Sequence, residues 1–189
     1  YPASWASGRT DQLEQVVKDS GGKVKIAATS VTDATNLVQG TQKTVTDQLT
    51  QNPDLKGYWF AFDSAGQAGG PAIQAKSGGK MFPDKPWVVT FHADLGTLDL
   101  MRKGAIDVVL DVPYDAAGWV AVDQAAEFFA RRKAFDKSPA PDYGGFEIYD
   151  YALVTKDNLP PEGQYRTPKN DFVTFFKTKW QDEFGTAGK

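Results

Sequence analysis

Three short runs in this 189-residue chain, Gly57 to Phe62, Trp87 to Phe91 and Ala105 to Val112, are apolar on both faces, and each leads through a short turn into a segment with helical spacing. A strand that needs cover on both faces belongs between helix layers, which is the situation of parallel strands in βαβ units. The helical segments are predicted over Thr10–Lys18, Asn36–Leu49, Ala68–Lys76, Gly96–Lys103 and Ala116–Lys133, with a further strand over Lys23–Ser30. The predicted fold class is therefore α/β, a doubly wound, mainly parallel sheet with helices on both faces. Pro71 fits the first turn of its helix, and Val120, Ala121, Gln124, Phe128 and Phe129 mark the expected inner side of the longest one. After Ser138 the texture changes. Pro139, Pro141 and Gly144-Gly145 read as a linker, Glu147–Val154 as a return strand and Asp171–Phe184 as an aromatic amphipathic helix, so residues 1–137 form the expected lobe and residues 138–189 a linker, strand and C-terminal helix.

Composition narrows the function. With 21 basic against 24 acidic side chains the net charge is -3, and no basic stripe is present to meet a phosphate backbone, so a nucleic-acid partner is not expected. There is no cysteine and a single histidine, which excludes disulfides and thiol chemistry and disfavours a zinc site; no metal or other cofactor is expected. The longest apolar runs fall far short of the ~20 residues of a membrane span. The chain opens Tyr1-Pro2-Ala3 without an initiator methionine or a signal-like leader, and is expected to be a processed chain or a piece of a longer one.

In open parallel sheets ligands bind beyond the carboxyl ends of the strands. Those ends carry Asp63-Ser64, His92-Ala93-Asp94 and Asp111, with Tyr114 and Asp115 just beyond, and Trp5 and Arg9 precede the first predicted helix. Carboxylates and a guanidinium fork bind hydroxyls in planar, bidentate fashion while aromatic rings cover apolar C–H faces, so the set suits a small sugar-like or polyol ligand. Arg9, Asp63, His92, Asp94, Asp111 and Trp5 are the candidate ligand-binding residues; no catalytic residue is assigned. Asp63 and Asp94 fit equally well as helix caps, His92 as a turn residue and Arg9 as a solvated charge. Ser64 lacks the leading glycine of a nucleophile elbow, and Gly66-Gln67-Ala68-Gly69-Gly70 matches neither a dinucleotide fingerprint nor a P-loop.

The order of motifs resembles a known family. Gln48-Leu-Thr-Gln-Asn-Pro-Asp-Leu55, then Gly57-Tyr-Trp-Phe-Ala-Phe-Asp63 and a Gly/Ala-rich helix, is similar to the "LLTxNPDI…ND…GA" stretch of type I periplasmic sugar-binding proteins of the ribose-binding-like group. Trp87-Val-Val-Thr-Phe-His92 stands where that family has "VVGFD", Leu98 to Ile106 resembles "IRxGxI", Asp111 to Gly118 resembles "QxPxxxG", and Val154 to Leu159 resembles "VTKDN". The likeness spans roughly residues 1 to 159 and implies mostly the second of two lobes joined by a hinge, with a first lobe outside this chain as partner. It implies a non-catalytic, extracytoplasmic solute-binding protein of an ABC importer, periplasmic or extracellular and free or lipoprotein-anchored, working with a membrane permease. Carried over, Arg9 falls on the sugar-binding arginine, Asp63 and Ser64 on the "ND" pair, His92 on a ligand aspartate with Asp94 nearby, and Asp111 on the hinge-side glutamine. Two alternatives share the residues. One is the effector lobe of a lactose-repressor-type regulator, which the 13% aromatic share and the long tail disfavour; the other is a hydrolase or isomerase using His92.

Overall fold

The computed structural model describes residues 3–185. In chain order it contains α1 (Ser4–Asp19), a 3-10 turn (Ala34–Asn36), α2 (Leu37–Gln51), β1 (Gly57–Trp59), α3 (Asp63–Lys76), β2 (Trp87–Phe91), α4 (Leu95–Arg102), β3 (Val108–Asp111), α5 (Tyr114–Arg131), β4 (Ala152–Val154) and α6 (Phe172–Phe184). Contacts divide the chain into two units, one taking in the chain up to Asp111 together with Leu153–Arg166, the other Val112–Ala152 and the chain from Thr167. The boundary expected after Lys137 falls inside the second unit.

The first unit is built on the sheet, ordered β1-β2-β3-β4. Parallel pairing sets Gly57 opposite Trp87 and Trp59 opposite Val89, then Val89 opposite Val108 and Phe91 opposite Leu110. Val88 and Thr90 of β2 are buried on one face, packed with Val45, Leu49, Ile73, Leu98, Met101, Ile106 and Val109. The glycines of α3 allow that helix to approach closely: a Cβ on Gly66 would meet Thr90 Oγ1 of β2 at 2.7 Å, and one on Gly70 the Ala105 carbonyl, in the turn before β3, at 2.7 Å. The run that resembled no nucleotide motif is thus a packing surface. Alternation turns Phe91 to the opposite face, where the guanidinium of Arg9 on α1 covers it, so helices lie on both sides as predicted.

Four local expectations are corrected. Lys23–Ser30 forms no strand: residues 25–33 have no regular structure, Val24 and Ile26 are exposed, and an apolar alternation without a neighbouring strand has nothing to pair with. Trp5 and Arg9 do not precede the first helix but ride on it, because α1 begins at Ser4. Helix α3 starts at Asp63 rather than Ala68, which puts Pro71 in its interior. The return strand shrinks from Glu147–Val154 to three residues.

The second unit pairs α5 with α6 around Ala116, Val120, Ile148, Phe172 and Phe176. Trp119 and Trp180 stack with centroids 5.3 Å apart, and Phe146 on Phe175 at 4.2 Å. The inner side of α5 is Ala116, Val120, Asp123 and Glu127, a stripe rotated by about one residue, ~100°, from the predicted one; Ala121 and Phe129 are exposed. Polar contacts cause the rotation. Asp123 accepts from Lys179 Nζ at 2.8 Å, Trp180 Nε1 at 2.7 Å and Tyr143 Oη at 3.0 Å, and Glu127 from Lys179 at 3.0 Å. Burial pulls the Lys179 ammonium downward, but its bonds to Asp123, Glu183 and Glu127 outweigh that and hold it above its usual range.

Candidate functional site

The carboxyl ends of β1, β2 and β3 and the start of α1 converge in the first unit. Arg9 reaches from α1 to donate through Nη1 to the Ala61 carbonyl just past β1, while Nη2 lies 3.1 Å from His92 Nε2 at the end of β2. Its guanidinium carbon sits 4.1 Å from the Phe91 ring centroid and 5.2 Å from that of Trp5. Trp5 meets Phe62 edge-on at 5.6 Å and remains 43% exposed, so its ring is held yet reachable. A cation between two aromatic rings is fixed in plane and orientation.

His92 has φ +64°, a left-handed backbone uncommon for any residue but glycine. Its N–H still donates to Leu110 O at 2.8 Å, so β2 stays paired with β3 while the side chain is turned toward α1 and α3. Nδ1 stands 3.6 Å from Asp63 Oδ2, and only 12% of the imidazole is exposed. That imidazole is the largest influence holding the Asp63 carboxyl below its usual range; part-burial works against it, and the Ser64 backbone N–H, 2.7 Å from Oδ1, works with it. Asp63 is the first residue of α3 but not its N-cap, a place taken by Phe62, and its charge also favours the positive helix start.

Trp5, Arg9, Asp63 and His92 are thus brought into one contact chain, with Phe91 beneath. Asp111 adjoins it: Oδ1 accepts from the Ala93 N–H at 3.4 Å and Oδ2 from Arg166 Nε at 2.7 Å. Asp94 is turned elsewhere. It caps α4 through Thr97 N at 2.6 Å, and both its oxygens accept from Gln67 Nε2. Two residues escaped the sequence reading. Phe91 sits in a run that is apolar on both faces, where only strand alternation sets it opposite the buried Thr90; Arg166 lies in a proline-rich return segment where no local pattern marks it.

A general base needs a free lone pair on the imidazole, and Nε2 faces a guanidinium that has only donors to offer. Among the described residues no group of three or more His, Asp or Glu is placed to hold a metal ion, and no helix is long and apolar enough to cross a membrane.

The family model described as "Periplasmic binding protein domain" matches residues 3–133. The chain belongs to that family. It is a binding family, not an enzyme family. No curated protein matches the chain. Among solved structures, it is similar to an ABC sugar transporter subunit from Rhodobacter sphaeroides at 22% identity and TM-score 0.63, covering 79% of this chain and 50% of that one. A glucose-galactose binding protein from Geobacillus stearothermophilus aligns at 20% identity and TM-score 0.64, over 80% of this chain and 49% of that one. A carbohydrate transporter solute-binding protein from Agrobacterium radiobacter, solved with D-arabinose, aligns at 25% identity and TM-score 0.63, over 81% of this chain and 46% of that one. The chain spans about half the length of these structures.

Proposed function

We propose that this chain supplies one wall of a sugar-binding site in an extracytoplasmic solute-binding protein of an ABC importer, and that the ligand is a neutral sugar or polyol. The observation that carries the reading is the Arg9 fork, clamped between Trp5 and Phe91 at the carboxyl ends of the strands with Asp63 and His92 beside it. A guanidinium edge and a carboxylate present donors and acceptors in one plane, as adjacent ring hydroxyls require, and the Trp5 face suits sugar C–H groups. The wall balances its charges: Asp111 with Arg166, and Asp63 against Arg9 through His92. That balance favours a neutral ligand over an anion. Asp111 sits beside the pocket floor, and Asp94, tied to Gln67 and α4, contributes chiefly by shaping the turn that carries His92. Its partners are a first lobe closing the other side and a membrane permease, and the place of action is the periplasm or cell surface, free or lipid-anchored.

Isothermal titration with D-arabinose, D-fucose, D-galactose, D-glucose and a set of polyols tests the reading. The expected result is weak binding, a Kd of about millimolar, since half the contacts are absent. Arg9→Ala should abolish it while the circular dichroism spectrum is kept. Absence of binding to every member of the panel would contradict the proposal.

A further inference from the structure

We propose that His92 is the positioning residue for Arg9, an imidazole that carries its proton on Nδ1 and accepts from the guanidinium through Nε2. The positioning itself is argued from geometry; its consequence for sugar affinity rests on the sugar-binding reading above.

The tautomer follows from chemistry and distance. A guanidinium has five N–H donors and no acceptor, so the nitrogen 3.1 Å from Arg9 Nη2 must offer its lone pair. The proton of the neutral ring then sits on Nδ1, which faces the acceptor-only carboxylate of Asp63 at 3.6 Å. The chain Asp63–His92–Arg9–Ala61 O has one consistent set of donors and acceptors, and it fixes the fork at both terminal nitrogens. The left-handed backbone at His92 is what turns the imidazole into this gap while its N–H keeps the ladder bond to Leu110. A strained residue that completes a relay of polar groups is the kind of outlier that marks a working position.

The single histidine makes the test direct, because its ring nitrogens give one unambiguous set of long-range 1H–15N correlations. At pH 8 the spectrum of the full chain should show a protonated Nδ1 and a bare Nε2, the reverse of the tautomer preferred by free histidine. An Nε2–H tautomer would overturn the positioning role. In the second arm, D-arabinose, D-fucose, D-galactose and D-glucose are titrated at pH 8 into wild type and His92→Leu. Loss of one charge-assisted hydrogen bond corresponds to about a tenfold drop in affinity, so His92→Leu should bind about tenfold more weakly than wild type. Unchanged affinity in His92→Leu, with its folding checked by circular dichroism, would overturn the positioning role. If no sugar binds wild type, the sugar reading falls, and the tautomer spectrum alone decides the positioning role.

Discussion

At the scale of single residues, charge placement decides more than hydrophobicity does. Asp123 and Glu127 occupy the inner stripe of α5 with side chains only 4% and 7% exposed, and Lys179 is the cation they share, with Arg131 Nη1 3.4 Å and Lys133 Nζ 4.0 Å from Glu127 as well. Lys179→Met would take the shared cation from Asp123 and leave Glu127 with its longer contacts to Arg131 and Lys133, at a cost of about 3 kcal/mol near neutral pH. The pH dependence of that cost has a definite sign. Glu127 is held below its usual 4.5, chiefly by a hydrogen bond with Glu183 and then by Lys179, so its stabilisation is present above that value and is lost as acid protonates it in the fold. Lys179 is held above its usual 10.5, so its share is present below that value and is lost as alkali removes the proton. Urea midpoints of wild type and Lys179→Met should therefore differ most between about pH 5 and 10 and converge toward pH 3; a difference unchanged at pH 3 would show that lost packing, not charge, sets the cost. The same rule explains what was hidden in the sequence. Helical spacing marked apolar candidates for the α5 stripe, but ion pairing with α6 selected Asp123 and Glu127, and nothing within α5 announces a partner 52 to 57 residues away.

At the scale of elements, punctuation and close approach carry the information. β2 was legible to the residue because Pro86 precedes it, His92 turns out of it, and both of its faces are covered. Helix α3 was not, because Pro71 reads locally as a first-turn residue, whereas the glycines around it show their purpose only against the sheet. The sign of a glycine substitution there follows from what the new methyl meets. In an open helix Gly→Ala gains about 1 kcal/mol, but at Gly70 the methyl would lie 2.7 Å from the Ala105 carbonyl, a backbone atom that cannot rotate away. Gly70→Ala should cost about 1–3 kcal/mol, whereas Gly118→Ala on α5, with nothing within 4 Å, should be neutral or stabilising. Paired thermal melts decide it; equal or opposite shifts would mean that α3 does not seat on the sheet as described. Lys23–Ser30 shows the converse limit. Its alternation is that of a strand, but strandhood is a property of a pair, and among the described residues no neighbour is supplied.

At the scale of the whole molecule, each of the two units has its own core, and the candidate site belongs wholly to the first. Topology made the place of the site legible: Arg9, Asp63, His92 and Asp111 all stand at strand ends or facing them, because a parallel sheet sends every strand's carboxyl end the same way. What the topology could not tell was that Phe91 and Arg166 join them, one hidden by strand alternation and one delivered by a distant return segment. The second unit offers a rival location, a cavity of about 900 Å3 lined by Asp123, Glu127, Tyr143, Lys169, Phe175 and Lys179 among others. Its excess of acidic groups makes it a poor seat for a neutral sugar, and its polar side chains are already bonded to one another. Amide, indole and guanidinium shifts of the 15N-labelled chain during titration with the sugar that binds best distinguish the two. A sugar seated in the first unit moves the Trp5 indole, the Arg9 guanidinium and the amides of His92 and Ala93 and leaves the Trp180 indole unmoved. Movement confined to Trp180 and the residues around Lys179 would contradict it.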